Sequence, residues 1–301
     1  MPPQASTYAH HVDMVYAFLL WASLFSGIIM LGGMFYFLLK YRRKTDKDKT
    51  AYITHNHTLE FLWSFIPLVL FMVMFAWGAI VYYMQRKMPD NALEVLVTAR
   101  QWSWEFEYRN GKSDADLHVP VGTPVKLIMT SQDVIHSFYV PSFRMKQDVV
   151  PGMYTAAWFQ ATEKGDYQIF CTEFCGTNHS KMLSKVHVME PSEFDSWLKG
   201  GGGVQTLAEK GFTLTKTKGC VACHSVDGTK VIGPTFKGVF GRKESMADGS
   251  SVTVDENYIR ESILNPQAKL VAGYPPTMPP FQGVLSEDEI KAIVEYLKSV
   301  K

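Results

Sequence analysis

The sequence has 301 residues, of which 47% are hydrophobic and 20% are charged, and its formal net charge is +1. This length and apolar content allow two or three domains, each with a core of its own. A chain this close to neutral lacks the strongly basic surface of nucleic-acid-binding proteins, so we expect no nucleic-acid partner.

Two long uncharged segments, residues 14–39 and 61–85, lie within the first 90 residues. The core of a bilayer is about 30 Å thick and needs roughly 20 apolar residues in a helix, so each segment can span a membrane. The first is longer than the apolar region of a secretory signal and no Lys or Arg precedes it, which favours a retained helix. Pro67 removes a backbone donor and is expected to kink the second helix.

The segment that follows the first membrane helix, residues 40–49, carries six basic and two acidic side chains. Short loops rich in Lys and Arg remain on the cytoplasmic side of a membrane. We therefore expect the N-terminus and the residues after Arg86 to face the outer side of the membrane.

After Arg86 the pattern changes to short segments of alternating apolar and polar side chains, separated by turn residues. This alternation is typical of strands with one buried face, and about seven of them predict an antiparallel sandwich or barrel over residues 91–199. The predicted strands are residues 93–97, 102–108, 125–129, 135–140, 154–159, 167–170 and 185–188.

Residues 200–203 are four consecutive glycines, which predict a flexible linker. The remaining residues, 204–301, are predicted to form a separate domain with helical character. Its final helix has the clearest signals, since Ser286 and Glu289 have the spacing of a capping box. Four apolar residues then recur at helical spacing and predict one buried face: Ile290, Ile293, Val294 and Leu297.

A soft-ligand motif lies near the end of the β-rich region, in residues 171–182. It contains Cys171, Cys175, His179 and Met182. Two thiolates, an imidazole and a thioether suit copper, and a weak axial methionine is typical of electron-transfer copper sites. A disulfide between the cysteines is one alternative, but it would leave the histidine and the methionine without a role. A structural zinc site is another, but zinc rarely binds methionine.

The pattern C-x-E-x-C-G-x-x-H-x-x-M, together with Val134-Ile135-His136-Ser137-Phe138, resembles the CuA domain of cytochrome c oxidase subunit II. The resemblance extends from the first membrane helix to about residue 197 and implies a cupredoxin-like Greek-key barrel. It implies that Cys171 and Cys175 bridge two copper ions and that His136 and His179 each bind one of them. It also implies weak binding by Met182 and by the backbone carbonyl of Glu173. In the family this glutamate side chain also reaches a magnesium ion at the interface with subunit I.

The segment Gln101-Trp102-Ser103-Trp104 is similar to the aromatic segment through which electrons from cytochrome c enter this family. Trp102 is the preferred candidate for that role, and Trp104 is the second. On pattern alone, two aromatic residues packing one face of a barrel would be an equally good interpretation.

The second pair of cysteines lies in the sequence Cys220-Val221-Ala222-Cys223-His224, the C-x-x-C-H pattern of covalent haem c attachment. Two thiols add to the haem vinyl groups, and the adjacent imidazole binds the iron. A thioredoxin-like C-x-x-C motif is the alternative, but no βαβ pattern surrounds it and His224 would have no role.

Residues 204–301 resemble the small class I cytochromes c, which are all-α domains. Residues 274–281 are similar to the proline-rich loop that supplies the distal iron ligand in those proteins, so Met278 is the expected ligand. A methionine in this position raises the reduction potential of the haem. Met246, the other methionine of this region, lies in a loop-like sequence and is the weaker candidate.

Both redox motifs on one anchored chain resemble subunit II of the caa-type haem-copper oxidases, which carries a fused cytochrome c. The resemblance implies a multi-pass protein of the bacterial plasma membrane, with its CuA and cytochrome c domains on the periplasmic side. It also implies a subunit of a proton-translocating oxidoreductase that accepts electrons from external cytochrome c or another donor. Electrons would pass through haem c and CuA to subunit I, where oxygen is reduced to water, and subunit III is an expected partner. The alternatives are the small subunit of a CuA-containing nitric oxide reductase and a membrane-tethered copper chaperone, which would have one membrane helix and a thioredoxin-like fold.

Glu60 lies just before the second predicted membrane helix, on its cytoplasmic side. A carboxylate at this position stabilises a helix N-terminus through the helix dipole, which is the simpler interpretation. The segment also resembles the subunit II stretch whose glutamate lies at the start of a proton pathway into subunit I. Ionisable residues near membrane depth are costly to desolvate and are therefore functional candidates.

Overall fold

The computed structural model describes residues 1–49, 51–199 and 206–301. These residues form two compact units, which are Ser6–Lys87 and the combination of Met1–Ala5 with Met88–Lys301. The predicted glycine linker, residues 200–203, lies outside the described residues.

The unit Ser6–Lys87 contains two long helices, α1 (Ala9–Lys40) and α2 (His57–Arg86). Their mean hydropathies of 2.1 and 2.3, their lengths and the exposure of nearly all their large apolar side chains suit a lipid environment rather than water. Both predicted spans lie within these helices, which extend a few residues further at each N-terminus. Helix α2 continues through Pro67.

The β-rich part of the second unit forms two five-stranded sheets, with the strand orders β3-β2-β1-β5-β8 and β4-β10-β9-β6-β7. The strands are β1 (Leu93–Arg100), β2 (Ser103–Tyr108), β3 (Ser113–Asp114), β4 (Leu117–Pro120), β5 (Pro124–Ser131), β6 (His136–Val140), β7 (Met145–Val149), β8 (Thr155–Gln160), β9 (Gly165–Cys171) and β10 (Leu183–Met189). All seven predicted strands are present, with boundaries that differ by a few residues.

The predicted antiparallel arrangement is wrong for two strand pairs. Strands β1 and β5 are parallel, and so are β10 and β4, whereas the other neighbouring pairs are antiparallel. Period-two alternation identifies strands but carries no information on which strands far apart in the chain become neighbours. The resulting fold is a cupredoxin-like sandwich.

Alternate side chains of these strands form the core of the sandwich. The largest fully buried strand side chains are aromatic and aliphatic, namely Trp104, Phe106, Phe138, Phe159, Leu117, Leu127, Met129 and Ile169, and Phe143 of the turn between β6 and β7 joins them. Trp104 packs edge-on against Phe138, with ring centroids 5.4 Å apart. This core provides the rigid support for the loop between β9 and β10, which carries most of the copper motif.

The last helix of the β-rich region, α3 (Pro191–Lys199), was not predicted from the sequence. Its signals are a proline at the first helical position and Glu193, whose side chain accepts a hydrogen bond from the backbone amide of Glu190. The amphipathic segment is only nine residues long, which makes its periodicity hard to detect.

The C-terminal region is mainly helical, as predicted. Its elements are α4 (Leu207–Thr217), α5 (Cys220–Cys223), β11 (Lys243–Ser245), β12 (Ser251–Thr253), α6 (Glu256–Leu264) and α7 (Glu287–Ser299). The capping box predicted at Ser286 and Glu289 is confirmed, and all four apolar residues of the predicted face of α7 are buried.

Helices α4 and α7 cross in close contact at Gly211. A Cβ atom added to this glycine would lie 2.0 Å from the backbone oxygen of Ala292, so only a glycine permits the crossing. The two helices thereby form one wall of an apolar core that continues into the cavity described below.

Candidate copper and haem sites

Five predicted copper ligands converge on one point at the end of the sandwich. His136 begins β6 and Cys171 ends β9, and the pairing of these two strands brings both residues to the same edge. Cys175 and His179 lie in the loop after β9, and Met182 comes directly before β10. All except His179 are buried, so the donor atoms are largely shielded from water.

The donor atoms lie within reach of one another. The Cys175 Sγ atom lies 3.7 Å from Cys171 Sγ, 3.4 Å from His179 Nδ1 and 3.8 Å from Met182 Sδ. The Cys171 Sγ atom lies 3.9 Å from His136 Nδ1. Both cysteines are free thiols, so the disulfide alternative does not describe this site.

The backbone carbonyl of Glu173 also points into this group. Its oxygen lies 3.3 Å from Cys171 Sγ, whereas the Glu173 side chain is exposed. Two thiols, two imidazole nitrogens, a thioether and a carbonyl therefore face one small volume, and this donor set fits a pair of copper ions.

The two thiols have opposite acid–base properties in the metal-free protein. Burial acts to raise the pKa of Cys171, but hydrogen bonds from His136 and from backbone amides outweigh it and lower this pKa to about 6. Burial and the adjacent negative charge of Cys171 raise the pKa of Cys175 to about 12. The buried pair therefore holds one negative charge near neutral pH, and binding of a cation is needed to remove the second proton.

Asp133 fixes one copper ligand and was missed by the sequence analysis. One carboxylate oxygen accepts a hydrogen bond from His136 Nε2 at 2.9 Å, which leaves Nδ1 facing the thiols. The other accepts from the backbone amide of Gln101 at 2.6 Å. A histidine with a carboxylate three residues before it is the sequence signal that indicates such an arrangement, because metal-bound imidazoles commonly donate their second N–H to a carboxylate.

The two tryptophans have different positions. Trp102 is half-buried at the edge of the site, and its indole N–H donates to the carbonyl of Cys175 at 3.1 Å. The Gln101 side chain donates to the same oxygen at 2.6 Å. Trp104 is buried in the sandwich core, with its ring centroid 6.2 Å from that of His136. Packing is thus a sufficient explanation for Trp104 but not for Trp102.

The haem motif borders a largely apolar cavity. Cys220 and Cys223 are three residues apart on the single turn α5, and both line the cavity together with His224. The His224 Nδ1–H donates to the carbonyl of Pro234 at 2.6 Å, which leaves Nε2 free to bind a metal. Burial lowers the pKa of His224 and keeps the ring neutral, as an iron ligand must be. This arrangement fits a covalently attached haem.

The structure distinguishes the two methionines of this region. Met278 lines the cavity, and so does Phe281 of the same loop. Met246 is buried in the core beside the β11–β12 hairpin, and its sulfur lies 4.0 Å from the hydroxyl of Tyr258. Met246 lies in the turn between β11 and β12, as its loop-like sequence predicts, and its side chain is part of the hydrophobic core.

The copper loop touches the haem-attachment turn directly. Asn178, which lies between Cys175 and His179, is buried, and its side-chain amide donates to the carbonyl of Ala222 at 3.0 Å. The same nitrogen lies 3.8 Å from Cys223 Sγ. Trp102 also lines the cavity that contains Cys220 and Cys223.

At the other end of the chain, Glu60 takes part in the start of α2. Its side chain accepts a hydrogen bond from the backbone amide of Asn56 at 3.1 Å, and Asn56 in turn caps the helix by accepting from Leu59. His57 Nδ1 lies 3.7 Å from the same carboxylate. The helix-terminus role is therefore present in the structure.

Three families match successive parts of the chain. Residues 1–78 match "Cytochrome C oxidase subunit II, transmembrane domain", residues 105–189 match "Cytochrome C oxidase subunit II, periplasmic domain", and residues 208–301 match "Cytochrome c". Cytochrome c oxidase subunit 2 of Alkalihalophilus pseudofirmus is 33% identical over 292 residues, which cover 91% of this chain and 82% of that protein. The chain belongs to the cytochrome c oxidase subunit 2 family.

Two further relatives resemble smaller parts of this subunit. The alternative cytochrome c oxidase subunit 2 of Bradyrhizobium diazoefficiens is 32% identical over 207 residues, which cover 58% of this chain and 74% of the relative. The crystal structure of the periplasmic domain of subunit II (CoxB) of Bradyrhizobium japonicum is 32% identical, covers 38% of this chain and 96% of that chain, and has a TM-score of 0.36.

As a cytochrome c oxidase subunit 2 with a fused cytochrome c domain, the chain is part of a haem-copper oxidase complex and uses CuA and haem c. Helices α1 and α2 anchor it in the membrane, and its copper domain is periplasmic. The copper-chaperone alternative is wrong, because it required one membrane helix and a thioredoxin-like fold.

Proposed function

We propose that this chain carries electrons from an external donor, through haem c and then CuA, to subunit I of a haem-copper oxidase. The observation that supports direct transfer between the two sites is the contact of Asn178 with the haem-attachment turn, and the order follows from the resemblance to caa-type oxidases. That contact joins the copper loop and the haem motif within one compact unit. When bound, the haem and the copper pair each take up and release one electron at a time, which protein side chains alone do not do readily.

We infer that Cys171 and Cys175 would hold the two coppers jointly, that His136 and His179 would each bind one, and that Met182 and the carbonyl of Glu173 would be weak ligands. The convergence of their donor atoms supports this assignment. The protein supplies a rigid, dry site, because strands β6 and β9 fix two ligands and Asp133 orients the ring of His136. A fixed geometry favours electron transfer, since little has to move when the charge changes.

On the haem side, we infer that Cys220 and Cys223 would form the thioether bonds and that His224 and Met278 would bind the iron. All four residues line one cavity, and the hydrogen bond to Pro234 selects His224 Nε2 for the iron. The apolar lining excludes water, which helps to keep the potential of the haem high.

Trp102 is the residue that we propose for electron passage between the two sites, rather than Trp104. Its indole lines the haem cavity and donates to the carbonyl of the copper ligand Cys175. The side chain therefore contacts both sites, whereas Trp104 is enclosed in the sandwich core.

The identities of the partner subunits and of the electron donor are also proposals. Subunits I and III, and external cytochrome c as the donor, follow from the resemblance of the whole chain to caa-type oxidases. We propose that the Glu173 side chain reaches a magnesium ion at the subunit I interface, and its exposure supports this role. Glu60 is proposed to collect protons from the cytoplasm in addition to its role at the start of α2.

Flash reduction of the purified, fully oxidised protein tests the proposed order. A light-activated soluble reductant should first reduce haem c, and the haem should then reoxidise with the same time course as the copper absorbance bleaches. In a Cys175→Ser variant that lacks the copper pair, the haem should stay reduced. Copper reduction that precedes haem reduction, or a reduced haem that persists beside oxidised copper in the unmodified protein, would contradict the proposal.

A further inference from the structure

A group of three charged side chains joins the copper domain to the cytochrome c domain. Glu105 on β2 receives hydrogen bonds from Arg100 at 2.7 Å and from Lys218 at 2.9 and 3.1 Å. Arg100 and Glu105 belong to the copper domain, whereas Lys218 lies directly after α4 in the cytochrome c domain. One carboxylate thus binds a cation from each side of the interface.

These charges are largely removed from water. The side chains of Arg100, Glu105 and Lys218 are 9%, 15% and 14% exposed. Ion pairs at fully exposed positions contribute little, but charges buried to this extent are strongly unfavourable when their partner is removed. Loss of Glu105 would leave two cations facing each other across the interface, since both contact its Oε2 atom.

The position of this group connects it to both redox sites. Arg100 and Glu105 flank the turn that contains Gln101 and Trp102, whose side chains donate to the carbonyl of Cys175. Lys218 comes two residues before Cys220, the first haem-attachment cysteine.

The backbone between Lys218 and Cys220 lies directly on strand β2. A Cβ atom on Gly219 would be 2.9 Å from Ser103 Oγ, and that hydroxyl donates to the carbonyl of Thr217 at 3.4 Å. The backbone of the attachment turn therefore packs closely against Ser103 of strand β2, the strand that also carries Glu105.

We propose that Glu105 is a positioning residue that holds the cytochrome c domain in the orientation required for electron transfer to the copper pair. It binds Arg100 to fix the Trp102 turn, and it binds Lys218 to hold the haem-attachment turn against it. This inference rests on the proposed order of electron transfer, but it makes a separate statement about the geometry of the interface.

The test uses the full-length, cofactor-loaded protein and two readouts. Pulsed electron paramagnetic resonance between oxidised haem c and oxidised CuA measures the distribution of distances between them. Flash reduction measures the rate of electron transfer between them. The variants are Glu105→Gln and Lys218→Gln, with Lys218→Arg to retain the charge and Glu107→Gln as the control. Glu107 is an exposed carboxylate two residues along the same strand.

We expect Glu105→Gln and Lys218→Gln to broaden the distance distribution and to lower the transfer rate at least about tenfold. Glu105→Gln leaves two poorly hydrated cations without their carboxylate, whereas Lys218→Gln leaves Glu105 paired with Arg100 but removes the ion pair that joins the two domains. The haem and copper spectra should not change. Lys218→Arg should restore most of the rate, and Glu107→Gln should match the unmodified protein.

A narrow distribution and an unchanged rate in Lys218→Gln would overturn the positioning role, even if Glu105→Gln impaired folding of the copper domain. Absence of haem-to-copper transfer in the unmodified protein would instead contradict the proposed function. In that case the distance distributions alone decide whether Glu105 fixes the interface.

Discussion

Replacement of Gly233 by alanine should weaken the haem site, because this glycine lies against the proximal histidine. A Cβ atom at this position would lie 2.7 Å from Cε1, 2.9 Å from Nδ1 and 3.1 Å from Nε2 of His224. The ring has little freedom to move away. It stacks on Phe236 with ring centroids 4.6 Å apart, and its Nδ1–H donates to the carbonyl of Pro234.

Two costs add in the Gly233→Ala variant. Overpacking a filled core costs about 1–3 kcal/mol, and leaving the half-buried carbonyl of Pro234 without its donor costs about 1–3 kcal/mol more. We therefore expect the haem domain to lose about 2–6 kcal/mol of unfolding free energy. Displacement of the His224 ring should also change the haem absorbance and lower the midpoint potential.

The assay is guanidinium unfolding of the purified protein followed by haem absorbance, combined with a potentiometric titration. Pro234→Ala is the matched control, because it keeps the carbonyl that accepts from His224 and adds no atom near the ring. This variant should lose about 1 kcal/mol or less of unfolding free energy, because alanine gives the unfolded chain more conformational freedom than proline. Equal unfolding free energies for the two variants, with unchanged potentials, would refute the close contact at Gly233.

Four further outcomes are expected. Met182→Leu should retain part of the copper but alter its spectrum and potential, because the axial bond is weak; an unaltered spectrum would exclude this ligand. Met278→Ala should open the haem iron to added ligands and lower its potential. Met246→Ala should keep the haem spectrum and cost about 2–5 kcal/mol of stability. The reverse result would make Met246 the iron ligand and Met278 the core residue. Glu60→Gln should slow oxidase turnover without affecting reduction of haem c or CuA, and a fully assembled variant with normal turnover would leave only the helix-terminus role. Calorimetric titration of copper-free protein should show that copper uptake releases the Cys175 proton at pH 7 and further protons as the pH falls, from His136, where burial acts to lower the pKa but Asp133 and Cys171 raise it, and from Cys171 below about pH 6; proton release that does not rise as the pH falls would contradict these pKa directions.

The membrane helices and the convergence of the motif residues were predictable from sequence because their signals are local. Charged residues mark the ends of the predicted spans 14–39 and 61–85, and α1 and α2 begin a few residues before these spans, in segments that contain His and acidic side chains. The copper and haem motifs consist of reactive residue types at short, fixed spacings, so their residues could be named without knowledge of the fold.

The features that the sequence did not reveal depend on contacts between distant residues. The parallel pairing of β1 with β5 joins strands separated by three others in the chain. The contacts of Asn178 with Ala222 and of Glu105 with Lys218 join residues 44 and 113 positions apart. No local pattern distinguishes these polar side chains from ordinary surface residues, and only the packing of the two domains shows that they are buried at an interface.

Paramagnetic resonance of the oxidised, purified protein tests the central claim most directly, since the account requires two copper ions held by His136, Cys171, Cys175 and His179. The unpaired electron should be shared equally, which gives hyperfine splitting from two equivalent copper nuclei alongside the signal of a low-spin haem. A spectrum with splitting from a single copper nucleus, or a protein that retains the haem signal but binds no copper, would contradict the account.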